Sequence, residues 1–340
     1  MATEGMGKDY DENSTTQMAA IKSSRNYLQH AIDAFDVSNF PLILIADYGS
    51  AHGTNSIRSV ESIIDLMKKS NKIDEQKQKI LVIHNDLPTN HWTSLFRCLS
   101  ETNSYYGLGN GRSFYEQCLP DSSLAIGLSS TALHWLSQKP CNLSDRCLVD
   151  RNRNDSETVA FKIQAANDYE TFLKHRSTEL MSGGVLIMSI IGDETGEDAN
   201  EHVDLLYQCG KQLLTPEELL DYTFPMYFRT EDELMRNEIF TKYGFELIHS
   251  RKFNIKSPSV EQFRRGELTL DEYARKETME VRSACEFILK QALINNGQRS
   301  IEDIENILNQ YWKLHEDGIK ERPVLLDQEL MFFNIVLKKN

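Results

Sequence analysis

Pro41 to Asp47, PLILIAD, is a continuous apolar run that ends on an acid. A half-exposed strand alternates apolar and polar residues, so a run of this kind calls for a strand buried on both faces. GSAHGTNS follows, a turn carrying two glycines. After it comes Ser56 to Lys69, SIRSVESIIDLMKK, where Val60, Ile63, Ile64 and Met67 recur at helical intervals. Strand, glycine-bearing turn and helix in that order make half of a βαβ unit, which points to a parallel sheet with helices packed on it.

Further segments repeat the pattern. KILVIHND (Lys79 to Asp86), LAIGLSS (Leu124 to Ser130) and GGVLIMSIIG (Gly183 to Gly192) read as strands, the last following a helical pattern from about Val159 to Leu180. Gly244 to Ile255 and Met331 to Lys339 are later strand candidates. This divides the chain into an N-terminal segment with a first helix (1–40), a cofactor-binding core (41–192), a helical cap from two insertions (193–243 and 258–323), and strands completing the sheet (244–257 and 324–340). Ligands of open α/β sheets bind outside the carboxyl ends of the strands, where such a cap would close.

Charge removes several classes of function. Lys and Arg total 37 against 51 Asp and Glu, a net charge of -14. That balance leaves no basic stripe for a phosphate backbone, so nucleic acid is not an expected partner. Cys98, Cys118, Cys141, Cys147, Cys209 and Cys285 show no metal-type spacing, which suits a reduced, cytoplasmic protein without a bound metal. The polar, acidic start MATEGMGKDYDENSTTQ is not a targeting signal, and no apolar run reaches membrane-spanning length.

The turn after the first strand, Asp47 to Asn55, is not the GxGxxG of a dinucleotide enzyme, which argues against an NAD oxidoreductase. Its glycines, Gly49 and Gly53, permit a sharp turn and close approach of a ligand to the main chain. Asp47 can face a cationic amino group, or it can be an ordinary turn residue. Asp86, ending the second strand, can accept hydrogen bonds from two ribose hydroxyls, or simply precede the turn at Pro88. Together the two acids point to a nucleotide-like ligand.

IADYGSAHGTNS, NDLPTNHW, GRSFYEQCLP and SSTALHWLSQKP occur in this order, and Tyr10, Asn13, Ser14 and Gln17 form a Y-x-x-N-S-x-x-Q pattern before them. In these motifs the chain resembles the SABATH methyltransferases, named for salicylic acid, benzoic acid and theobromine. Weaker similarity runs on through FPMYFRTEDEL, VRSACEFILKQAL and the final strand. The resemblance implies an α/β fold, a Rossmann-like S-adenosylmethionine methyltransferase sheet of about seven strands with a helical cap. It also implies a homodimer. By the same resemblance Ser14, Asp47 and Asn55 meet the methionine portion of S-adenosylmethionine, Asp86 and Leu87 the ribose, and Ser113 and Phe114 the adenine, with Gly49 also among the cofactor-binding residues. Gln17 and Trp135 are the implied carboxylate-binding pair. Tyr10, Thr131, His134, Phe224 and Tyr227 complete the implied acceptor pocket.

The reaction so implied is esterification of a small-molecule carboxylic acid. A carboxylate is already ionised at neutral pH and needs no general base, so catalysis rests on placement, worth about 7–11 kcal/mol in favourable cases. Gln17 and Trp135 are neutral donors that orient the acid and leave one oxygen free. His134 then reads as a helix residue rather than a base. Thr131 and His134 depart from many plant members, so the pocket wall differs from that of an aromatic-acid enzyme. Methylation of a ring nitrogen or hydroxyl, or binding of the cofactor without turnover, remain alternatives. Tyr10 to Gln17 are expected to order when a ligand is present.

Overall fold

The computed structural model describes residues 6–7, 10–23, 25–36, 40–74, 76–193, 200–322 and 329–340. Three short helices, α1 (Tyr10–Asn13), α2 (Thr15–Ser23) and α3 (Arg25–Ala34), precede the sheet. There follow β1 (Leu42–Tyr48), α4 (Thr54–Lys69), β2 (Lys79–Asp86), α5 (Trp92–Ser100), β3 (Tyr106–Gly111), β4 (Leu124–Ser130), α6 (Ser156–Glu179) and β5 (Leu180–Gly192). Then come α7 (Asn200–Leu213), α8 (Pro216–Asp221), α9 (Glu231–Leu234), α10 (Asn237–Lys242), β6 (Phe245–Ile255), α11 (Pro258–Arg264), α12 (Leu270–Asn295), α13 (Ile301–Glu321) and β7 (Leu330–Lys339).

The seven strands form one sheet in the order β3-β2-β1-β4-β5-β7-β6. β1 to β5 run parallel, and β7 lies antiparallel between β5 and β6. The order reverses between β1 and β4, which places the ligand-binding crevice of an open α/β sheet at their carboxyl ends. Asp47 and Asp86 stand there, with Tyr48 paired to Asn85 across β1 and β2.

The apolar runs are buried as their composition demands. Ile43, Ile45 and Val82 pack with Phe35 of the N-terminal segment and Val60, Ile63 and Ile64 of α4 on one face. Tyr169, Phe172 and Leu173 of α6 pack with Leu186, Met188 and Ile190 on the other. A third cluster joins α7 and Tyr222, which follows α8, to α11, α12 and α13 and includes Trp135, so both insertions contribute to one helical layer. Leu234 of α9 and Ile239 and Phe240 of α10 instead pack into the sheet-face cluster. Long helices of this layer begin at reciprocal caps, Thr269 with Glu272 on α12 and Ser300 with Asp303 on α13.

β3, YGLGNG, carries no apolar run and was not among the expected strands. It is an edge strand, paired only to β2, with Tyr106 and Leu108 exposed. Its glycines admit α5: a Cβ on Gly109 would press on Trp92 and Phe96 at about 3 Å. Among the described residues, no helix is long and apolar enough to cross a membrane.

Candidate active site

Two cavities open at the carboxyl edge of the sheet. The first, of about 660 Å³, is lined in part by Gly49, Ala51, Asp86, Leu87, Ser113 and Phe114. The second, of about 250 Å³, lies under the helical layer and is lined in part by Gln17, His134, Phe224, Met226, Phe228 and Leu206. Met6, Tyr10, Thr131 and Trp135 line both. The cavities therefore meet where the loop after β4 faces the N-terminal segment.

The floor of the first cavity is set by the backbone. Gly49 has φ 98°, and a Cβ there would overlap the Ala132 methyl, so only glycine lets this turn pass under the β4 loop. Asp86 accepts from the Ala51 amide (2.7 Å) with one oxygen and from the Leu87 amide (2.8 Å) with the other. Burial nonetheless pushes its carboxyl up to about 6. Asp47, 3% exposed, leaves Oδ1 without a hydrogen-bond partner. Burial pushes its pKa up to about 7, against the Ser56 hydroxyl and helped by the nearby Asp86 charge. Asp47, Ser14 and Asn55 are buried or half-buried beside the first cavity rather than on its wall, and Asn55 Nδ2 donates to Ser14 Oγ at 2.8 Å. Asn55 Oδ1 has no partner either.

Phe114 sits in a loop held by groups that sequence reasoning passed over. Arg176 and Glu179 of α6, both fully buried, pair at 2.8 Å. Arg176 donates to the carbonyls of Phe114 (2.6 Å) and Glu116 (2.8 Å), while Glu179 accepts from the amides of Cys118 and Leu119 and from the Tyr48 hydroxyl. The Arg176 guanidinium also stacks 4.0 Å from the Tyr48 ring. A buried pair fully satisfied in this way fixes the loop and ties it to β1. Their i,i+3 spacing on a helix was the available signal, and it usually marks a surface pair.

The junction is equally constrained. Thr131, a β-branched residue, has φ 53°, an uncommon conformation that persists only where surrounding contacts impose it; its amide donates to the Ser189 carbonyl at 2.8 Å. His134 lies in a turn and not in a helix, because residues 134–136 pair with 225–227: Trp135 bridges Met226, and the Tyr227 amide donates to the His134 carbonyl at 2.9 Å. The buried imidazole is held neutral, its pKa lowered to about 3 by burial and by Arg229, and its Nδ1 has no partner. The Trp135 indole N–H makes no hydrogen bond to the described residues, and Gln17 Oε1 is buried without one.

Tyr227 does not face the acceptor cavity as expected. Its hydroxyl donates to Glu233 at 2.9 Å and its ring joins the cluster of Leu136, Val149 and Phe161. In an extended segment alternate residues face opposite sides, so Met226 and Phe228 take the wall in its place. Among the described residues no cluster of three or more His, Cys, Asp or Glu is placed to hold a metal.

A family model described as SAM-dependent carboxyl methyltransferase matches residues 1–339. The chain belongs to that family. The resemblance drawn from the ordered motifs, and with it the cofactor S-adenosylmethionine, therefore holds for this carboxyl methyltransferase. A probable S-adenosylmethionine-dependent methyltransferase of Arabidopsis thaliana is 34% identical over 257 residues, covering 66% of this chain and 71% of its own. Jasmonate O-methyltransferase of the same plant is 30% identical, covering 66% and 69%. Loganic acid O-methyltransferase of Catharanthus roseus is 24% identical, covering 94% and 88%. A solved structure of loganic acid methyltransferase with SAH superposes with a TM-score of 0.82 at 23% identity over 99% of this chain and 98% of its own, which shows the fold.

Proposed function

We propose that this carboxyl methyltransferase esterifies a small carboxylic acid seated in the second cavity, with Gln17 and Trp135 as neutral donors to its carboxylate. The observation that carries this reading is that two neutral donors lining one cavity beside the junction, the Gln17 amide N–H and the Trp135 indole N–H, make no hydrogen bond to the described residues. A carboxylate only accepts hydrogen bonds, so it meets the Trp135 indole N–H and the Gln17 amide N–H and not the orphaned Gln17 Oε1.

The first cavity suits S-adenosylmethionine on its own chemistry. Asp47, with its orphaned Oδ1, would meet the ammonium; Ser14, Gly49 and Asn55 would meet the rest of the methionine portion. Asp86 with Leu87 would take the ribose and Phe114 with Ser113 the adenine. When bound, the cofactor supplies a methyl group on a positively charged sulfur, which a carboxylate oxygen takes while the bonding electrons stay on sulfur. Trp135 and Thr131 hold the junction between the two ligands, and α7, α8 and α11 to α13 act as the cap that excludes water. No residue needs to take a proton, in keeping with a neutral His134. Family resemblance supports a homodimer and the scattered cysteines a cytoplasmic location, which sedimentation and fractionation test.

Incubation with methyl-labelled cofactor and a panel of carboxylic acids, xanthines and phenols tests the reading. The expected product releases its label as volatile methanol on treatment with base, as a methyl ester does. A base-stable methylated heterocycle or phenol contradicts it, and tight S-adenosylhomocysteine binding without product from any acid points to a binding protein.

A further inference from the structure

The second cavity is not uniformly apolar. Its α12 wall carries Glu277, which is 7% exposed, and α7 contributes His202. Glu277 Oε1 accepts from Ser257 at 2.5 Å and from Ser259, whereas Oε2 has no hydrogen bond to the described residues. His202 Nδ1 is buried and likewise without a partner. Glu280, one turn further along α12, is different: its two oxygens are taken by the Thr15 hydroxyl (2.8 Å) and the Thr16 amide (3.1 Å). The open polar valences on this wall are therefore those of Glu277 and His202.

Their position relative to the junction follows from helix geometry. Phe287 of α12 packs on Trp135 with ring centroids 5.5 Å apart. Glu277 lies ten residues earlier on the same helix, which separates the two Cα atoms by about 15 Å along the axis. Between them Glu280, its oxygens taken by Thr15 and Thr16, and then Val281, Ala284 and Cys285 line the cavity, so the wall from Val281 onward is apolar. An acid held at Trp135 thus extends along an apolar wall toward a carboxylate oxygen and an imidazole.

We propose that the acceptor is a carboxylic acid bearing a hydroxyl group at the end remote from its carboxyl, which donates to Glu277 Oε2 and accepts from His202. The proposal rests on the carboxyl-transfer reading above. A hydroxyl meets both groups at once because it donates and accepts. A second carboxylate at that end would face Glu277 and be repelled. Burial lowers the His202 pKa, with Glu277 opposing, so the ring offers one donor and one acceptor and no charge. An acid with an apolar tail would leave Glu277 and His202 buried and unmet, a cost that a hydrogen-bonding site imposes strongly on analogues lacking the group.

Matched pairs of straight-chain and monocyclic acids, with and without a remote hydroxyl, test this by kcat/KM and by calorimetric binding to the protein saturated with S-adenosylhomocysteine. The hydroxylated member is expected to be preferred by at least about tenfold in both. Glu277→Leu is expected to remove the preference without weakening S-adenosylhomocysteine. Should that variant not fold, Glu277→Gln keeps Oε1 for the serines, puts an N–H in place of the open oxygen, and is expected to shrink the preference likewise. Equal use of both members, preference for the unsubstituted or an amino-substituted acid, or a preference that survives substitution of Glu277 overturns the inference while leaving carboxyl transfer intact. Failure to methylate any acid overturns the carboxyl-transfer reading, and this inference with it.

Discussion

The Tyr115 hydroxyl donates to the Trp135 carbonyl at 2.6 Å, joining the loop that carries Phe114 to the side chain that stands between the two cavities. Tyr115 is 8% exposed, so the bond is made away from water and its loss leaves a buried carbonyl unmet. Tyr115→Phe is expected to cost about 1–3 kcal/mol of stability in urea unfolding. Through a small displacement of Trp135 it is also expected to lower kcat/KM for the acid by about tenfold, with a smaller change in S-adenosylhomocysteine affinity measured by calorimetry.

Arg176 and Glu179 make a prediction about stability that separates a pair from its parts. Arg176→Met leaves the Glu179 charge buried beside backbone amides without its partner and is expected to destabilise by about 3–5 kcal/mol. The double substitution Arg176→Met with Glu179→Met removes both charges and is expected to recover much of that loss. Chemical denaturation of the two variants beside the unaltered protein measures it.

Binding of the cofactor should depend on pH through Asp47, whose pKa burial raises to about 7. An ammonium needs the ionised carboxylate. Above pH 7 that form is present, and below it a proton must leave, so affinity is expected to fall by about tenfold for each pH unit. The sign for the free protein is opposite: a carboxyl raised above its unfolded value penalises the fold as pH climbs through that window, and fully above 7. The rise in Tm on adding S-adenosylhomocysteine is therefore expected to be greater at about pH 8 than at about pH 6. Asp47→Asn should flatten both trends.

The parts of this architecture that were legible share one property, a strong local pattern. PLILIAD declared β1, and its terminal Asp47 and the Gly49 turn sit where the strand order reverses. Ordered motifs then gave the cofactor, and Gln17, Trp135, Thr131 and Phe224 do gather on the second cavity. β3 was not legible because its glycines serve the packing of α5 and suppress an apolar signal. Tyr227 was misplaced because FPMYF is apolar at nearly every position, so nothing in it announces which residues of an extended segment face the cavity. Arg176, Glu179 and Glu277 are ordinary charged helix residues until tertiary packing buries them.

The clamp on the carboxylate is the central claim, and Trp135→Phe tests it most directly. Phe keeps an aromatic ring, smaller than the indole, and removes the one N–H, and a hydrogen bond to a charged group is worth about 1.5–3 kcal/mol. The measurement is kcat/KM for the acid beside the calorimetric Kd of S-adenosylhomocysteine in the same preparation. A fall of at least about tenfold in kcat/KM with Kd unchanged within about twofold is the expected result. Unchanged acid turnover with the same Kd would show that Trp135 does not hold the carboxylate.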